Sequence, residues 1–330
     1  MRIGIVGAGA VGGHLAAKLA KAGHTVSLLA RGAHLQAIQR DGLRFESGET
    51  RVTIKPAASD DPRNLGAQDV VFVTAKANSL GGLAPLIPPL LGPDTPVVFA
   101  LNGIPWWYFH RFGNHPWRRI ERLDPGGALE RSVGLERAVG CVVYSSNAVL
   151  APGVVQAVNP TRNRFVLGEP DNTRTARVER IAKLFQGTDL DVPIDTDIRK
   201  TVWSKLLQNM GNSAGCCLTG GRIGEVLSDH ELVQVARSIN EEAVAIAASH
   251  GIELPPAYGP EQVKATLASP IAGHKPSMLQ DLEVGKPMEI DAQFVVPRDF
   301  AREAGIATPV LDTATALLKA RARLAGCYDG

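Results

Sequence analysis

At 330 residues the chain exceeds what one hydrophobic core usually serves, and 45% hydrophobic with 21% charged residues excludes wholesale disorder. Its net charge of +2 comes from 35 basic and 33 acidic residues without a dense basic run, which argues against nucleic acid as a partner. Cys141, Cys216, Cys217 and Cys327 form no CxxC pair, and no stretch approaches the ~20 apolar residues of a membrane span, so neither zinc, a disulfide framework nor a membrane partner is expected and a cytoplasmic location is.

Residues 2–6 are a short β-branched apolar run, followed by a glycine cluster and a helical pattern over residues 11–22 that Gly23 ends. Residues 24–30 supply the next strand and complete a βαβ unit. Residues 69–74 and 97–101 read as further buried strands of the parallel type. The segment 105–125, PWWYFHRFGNHPWRRIERLDP, mixes aromatics, arginines and prolines without a period and is expected to be an irregular excursion. Its Trp106 and Trp107, with Trp117, are candidates either for an exposed homodimer surface or for cover over the protein's own core.

From 138 to 167, segments such as VGCVVYSS and RNRFVLG predict antiparallel strands that finish the sheet, with a turn at 151–153. A helix over 175–185 and a strand over 192–195 come next. Beyond them the pattern is helical: 202–215, about 229–250, a proline-rich break, then helices around Met278 and Ile290. The expected fold class is α/β, with a Rossmann-type N-terminal domain (residues 1–196), an all-α C-terminal domain (residues 197–330) and an active-site cleft between them.

Gly7, Gly9 and Gly12 stand in GxGxxG spacing directly after a strand and at the mouth of a helix. The first glycine suits a tight turn, the second lets a pyrophosphate approach the backbone, and the third allows helix and strand to pack closely. The N–H groups of the helix start, including those of Ala10 and Val11, then face the phosphate. After the second strand the sequence reads LLARGAH, without the carboxylate that would accept from a ribose 2′-hydroxyl. Arg31 offers a planar cationic fork suited to a 2′-phosphate, which favours NADP(H) over NAD(H), although it also suits a solvated arginine at a loop start. Lys76 and Asn102 both follow strands, on the edge where open α/β sheets bind ligands. Lys76 suits a cation beside the cofactor, and Asn102 suits either the ribose or the substrate end of the nicotinamide site; each also suits a plain loop.

WSKLLQNMGNS puts Lys205, Asn209 and Ser213 at i, i+4 and i+8 along one helix face, leaving Leu206, Leu207 and Met210 for the apolar side. A lysine with an amide one turn later suits ketone reduction, in which the ammonium stabilises the oxygen and donates a proton. The same spacing occurs on ordinary exposed helices. HKPSMLQDLEVGKPMEID carries Ser277, Gln280, Asp281, Glu289 and Asp291; a hydroxyl and a carboxylate in one short region suit a substrate carboxylate and a cationic acid respectively, although the run also reads as a solvated helix-loop-helix.

Taken together, GAGAVGG, Arg31, VTAKA, LNG, WSKLLQN, the LTG near Leu218 and SMLQDLEVGKPMEID resemble the 2-dehydropantoate 2-reductases, or ketopantoate reductases, over nearly the whole chain. The resemblance implies NADPH-dependent reduction of 2-dehydropantoate to pantoate in pantothenate biosynthesis. It implies that Lys205 is the general acid, that Asn209 holds substrate, that Glu289 contacts substrate and lysine, that Lys76 and Asn102 lie near cofactor and substrate, and that Ser277 binds the substrate carboxylate. Four departures bear on substrate identity, one of them an aromatic excursion after Gly103 that is longer than in compact members. Ser213 replaces a second asparagine of the family, with Asn212 one residue off that face; His274 stands where some members have asparagine; and DAQFVVPRDFA lacks the Asn-Gly pair common after EID. Reduction of another 2-keto acid, such as one with a bulkier tail that reaches the aromatic excursion, and a non-catalytic NADP-binding sensor are the competing readings.

Overall fold

The computed structural model describes residues 1–159, 163–255 and 257–330. The chain divides into two units: Met1–Leu101 with Pro105–Ile198, and Asn102–Ile104 with Arg199–Gly330.

The first unit begins with β1 (Arg2–Val6), α1 (Ala10–Lys21), β2 (Thr25–Leu29) and α2 (Gly32–Asp41). There follow β3 (Leu43–Ser47), β4 (Thr50–Ile54), β5 (Ala57–Ser59), β6 (Val70–Val73), α3 (Leu80–Leu83), β7 (Val97–Leu101) and α4 (Ala128–Ser132). It ends with β8 (Ala138–Ser145), β9 (Asn147–Ala151), β10 (Val154–Ala157), β11 (Asn163–Gly168) and α5 (Ala176–Lys183). Seven strands form one sheet in the order β11-β8-β7-β6-β1-β2-β5. All neighbours are parallel except β11, which runs antiparallel to β8. Ile3, Ile5, Val6 and Val70 through Val73 are buried, as central strands covered on both faces require. Strand order reverses at β1, with β2 on one side and β6 on the other, and the glycine turn lies at this switch point.

The structure corrects the expectation that every strand between 138 and 167 finishes this sheet. Only β8 and β11 do so. β9 and β10 join the hairpin β3–β4, which periodicity missed, in a separate sheet of order β4-β3-β10-β9. This sheet covers α1: the His14 ring stacks on Phe45 of β3 at 4.9 Å, and a Cβ on Gly13 would lie 2.6 Å from Val155 Cγ2 of β10. Residues 192–195 likewise form no strand of their own; Ile194 pairs with Leu167 of β11 in an isolated bridge. Arg162, at the start of RNRFVLG, and Pro256, in the proline-rich break, lie outside the described residues.

The excursion over 105–125 is irregular and made largely of turns. Trp106 and Trp107 are each 1% exposed, so they line the core and offer no surface, whereas Trp117 is 38% exposed. Trp106 meets Phe99 of β7 edge-on at 5.4 Å, and Trp107 fills the space that a side chain on Gly140 of β8 would occupy.

The second unit holds α6 (Ile198–Thr219), α7 (Ile223–Ser228), α8 (His230–Ser249), α9 (Pro260–Leu267), α10 (Ser277–Glu283), a π-helical turn (Asp291–Val295), α11 (Val296–Glu303) and α12 (Pro309–Leu324). Asp229 caps α8 by accepting from the N–H groups of Glu231 and Leu232. The Glu242 carboxylate, on α8, accepts from Val310 N at 3.0 Å and Leu311 N at 2.7 Å and so caps α12 from a neighbouring helix. Among the described residues no helix is long and apolar enough to cross a membrane.

Candidate active site

In the first unit the site grows from the turn after β1. Gly7 has φ +98, a conformation that favours glycine, and its carbonyl accepts from the Thr74 hydroxyl at 2.6 Å. A Cβ on Gly12 would collide with the Gly7 carbonyl and lie 2.5 Å from Thr74 Oγ1, so glycine there lets α1 press against the end of β1. A Cβ on Gly9, by contrast, would meet nothing within 4 Å. That open space, beside the N–H groups of Ala10, Val11 and Gly12 in the first turn of α1, fits a pyrophosphate. No acidic residue stands in this first turn to repel one. Thr74 was not singled out from sequence; its only signal was its position at the end of a strand adjacent to β1.

Arg31 precedes α2, is exposed, and among the described residues meets no carboxylate. An unpaired guanidinium at the end of β2 fits the 2′-phosphate of NADP(H). Lys76 lies beyond β6, at the N-terminal end of a short 3-10 turn, and is half-buried.

In the second unit, Lys205 and Asn209 lie one turn apart on α6 and are half-buried, while Leu206, Leu207 and Met210 are fully in the core. Ser213 on the same face is itself buried. Asn212, the nearest asparagine to the family position, is committed elsewhere: its Oδ1 accepts from the Tyr258 hydroxyl at 2.8 Å. Ser277 opens α10 and is exposed. The run after α10 is not simply solvated, because Met288 through Ile290 are buried and Glu289 is only 8% exposed.

Asn102, although it follows β7 directly, belongs with the helices. Gly103 has φ +83, and a Cβ on it would lie 2.7 Å from the Ala292 carbonyl. The same carbonyl accepts from Ile104 N at 2.9 Å. The Asn102–Ile104 segment is thereby docked on the π-helical turn that follows Glu289. Such turns insert one extra residue into the helical repeat and are frequent at functional sites. Two amides there stand out: Asn102 Oδ1 and both side-chain polar atoms of Gln293 are buried without a hydrogen-bond partner among the described residues. Gln293 is 1% exposed. Buried amides left in this state call for a polar ligand or water. Sequence reading passed over Gln293 because glutamine in a helical run carries no distinguishing signal.

The family model described as ketopantoate reductase PanE/ApbA matches residues 3–106, and that described as ketopantoate reductase PanE/ApbA C terminal matches residues 197–322. A 2-dehydropantoate 2-reductase of Mesorhizobium japonicum is 42% identical over 332 residues, with 100% of both chains covered. The chain belongs to the ketopantoate reductase family. A solved Ralstonia solanacearum structure named as a candidate ketopantoate reductase resembles this family member with TM-score 0.92 and 38% identity over 99% of each chain. The Geobacter metallireducens 2-dehydropantoate 2-reductase does so with TM-score 0.83 and 28% identity, covering 97% of this chain and 99% of that one. The α/β first unit and helical second unit are the fold of the family.

Among the described residues no group of three histidine, cysteine or acidic side chains is placed to hold a metal ion. All four cysteines are buried and free. Burial pushes the Cys216 and Cys217 thiols up to about 12, which removes them as thiolate nucleophiles.

Proposed function

We propose that the protein reduces 2-dehydropantoate to pantoate, with NADPH as reductant. The observation that carries this reading is the face of α6 that presents Lys205 and Asn209, half-buried and one turn apart, in a chain of this family. Gly7, Gly9, Ala10, Val11, Gly12, Arg31 and Lys76, with Asn102 and Glu289 at the nicotinamide end, would hold NADPH, which when bound would supply the hydride for the carbonyl carbon. Lys205, as an ammonium, hydrogen-bonds the ketone oxygen, stabilises the negative charge that develops there and delivers the proton that completes the alcohol. The neutral amine left behind takes its next proton from solvent. Glu289, 8% exposed, keeps the lysine charged and oriented through its own negative charge. Asn209, Ser213 and Asn102 hydrogen-bond the substrate, and the Ser277 hydroxyl receives its carboxylate.

NADPH oxidation followed with purified enzyme and 2-dehydropantoate tests the assignment. A panel of other small 2-keto acids run beside it tests specificity. A kcat/KM for 2-dehydropantoate below that of another keto acid overturns the substrate. NADPH binding without oxidation on any of them overturns the activity.

A further inference from the structure

We propose that His34 is a positioning residue that orients the nucleotide-binding glycine turn and ties it to the helix that Arg31 opens. The half-buried His34 ring bridges two stretches of backbone: Gly153 N donates to Nδ1 at 3.0 Å, and Nε2 lies 2.7 Å from the Ala8 carbonyl oxygen. These contacts fix the tautomer. A backbone N–H needs a lone pair, so Nδ1 is bare, Nε2 carries the proton, and Nε2 donates to Ala8 O.

Ala8 stands between Gly7 and Gly9, and its carbonyl shares a planar trans peptide with the Gly9 N–H. Holding the oxygen on His34 therefore fixes the direction of the Gly9 N–H, which points the opposite way. His34 lies in the first turn of α2, three residues after Arg31, whose carbonyl accepts from Leu35 N at 3.3 Å. The other anchor is equally constrained. Gly153, with φ +76, makes the turn between β9 and β10, and its carbonyl accepts from Arg44 N at 2.9 Å. One imidazole thus joins the phosphate turn, the start of α2 and the smaller sheet. The link to Arg31 rests on the 2′-phosphate reading above; the link to the glycine turn does not.

Binding is tested with the full-length enzyme without substrate, and kcat is measured separately with 2-dehydropantoate. NADP⁺ and NAD⁺ are titrated calorimetrically into wild type, His34→Ala, His34→Gln, His34→Asn and Arg31→Ala. His34→Ala is expected to weaken both nucleotides by about 5- to 30-fold, the equivalent of one to two neutral hydrogen bonds, while kcat at saturating NADPH stays within about twofold. Glutamine places its amide near the former Nε2 and restores the bond to Ala8, so His34→Gln recovers most of the affinity and His34→Asn does not. NAD⁺ has no 2′-phosphate, so its weakening in His34→Ala reads the glycine turn alone. If Arg31→Ala leaves the NADP⁺/NAD⁺ ratio unchanged, the 2′-phosphate reading fails while the NAD⁺ result still stands for His34. Wild-type affinity for both nucleotides in His34→Ala, or rescue by Asn and not by Gln, overturns the proposal. A ¹⁵N spectrum of the histidine-labelled wild type is an independent check that needs no variant. It should show Nδ1 unprotonated and Nε2 protonated at His34, and the reverse tautomer overturns the proposal.

Discussion

The Tyr258 hydroxyl donates to Asn212 Oδ1 at 2.8 Å, and its ring lies 2.5 Å from where a Cβ on Gly211 would stand. The pair locks the loop before α9 onto α6, with Tyr258 held at φ +62. Asn212 is therefore structural. Asn212→Ala should lower stability by about 1 kcal/mol with the keto-acid KM unchanged, whereas Asn209→Ala should raise KM or lower kcat with little change in melting temperature. Gly211→Ala should destabilise more than either, because the tyrosine ring must move. Chemical denaturation and steady-state kinetics on the three variants separate these outcomes.

Lys205 carries the proton transfer in the proposed reaction. Lys205→Ala should lower kcat by about 10²–10⁴-fold, the usual range for a lost general acid, and leave the NADP⁺ dissociation constant within about twofold. An unimpaired kcat removes the acid role.

Arg31 is exposed and unpaired among the described residues, so its replacement breaks no ion pair within the protein. Arg31→Ala should raise the KM for NADPH by about 10- to 100-fold, as expected for a charged hydrogen bond, and leave that for NADH nearly unchanged. Equal changes for both cofactors rule out the 2′-phosphate contact.

His14 gives the fold a pH dependence. Burial, with the nearby Lys18 charge adding to it and Asp189 opposing, lowers its pKa from 6.5 to about 3. Its Nδ1 lies 3.2 Å from Ser145 Oγ, and Nε2 is buried without a partner among the described residues. Above pH 6.5 the ring is neutral in both states and its contribution is complete. As pH falls from 6.5 toward 3, only the unfolded chain takes up the proton, and stability is lost at about 1.4 kcal/mol per pH unit. Urea unfolding at pH 7 and pH 5 should show this loss in wild type, and a smaller one in His14→Asn. Parallel losses in the two proteins exclude His14 as the source.

The side-chain amide of Gln293 is buried without a hydrogen-bond partner among the described residues, next to the segment that carries Asn102. Gln293→Leu should raise stability by about 1–3 kcal/mol, since it removes an unsatisfied group, and lower kcat/KM for the keto acid with the NADPH KM unchanged. A stabilised variant with wild-type kcat/KM assigns Gln293 no part in substrate binding.

The sequence by itself determined the features that depend on neighbours a few residues apart. The strand, glycine turn and helix over Arg2–Val6 and Ala10–Lys21, the arginine where a carboxylate would select NAD, and the Lys205 and Asn209 face of α6 all follow from short-range spacing. The tertiary structure decided what depends on distant pairing. A β-branched alternating run is the same in either sheet, so nothing local sends β9 and β10 to β3 while β8 and β11 stay with β7. Asn102 is separated from the helices by almost a hundred residues, and tertiary contacts such as those of Gly103 and Ile104 with Ala292 place it among them. Burial of His14 and Gln293 was likewise invisible, and that of Trp106 and Trp107 was left open, because exposure is a property of what packs over a side chain and not of the side chain itself.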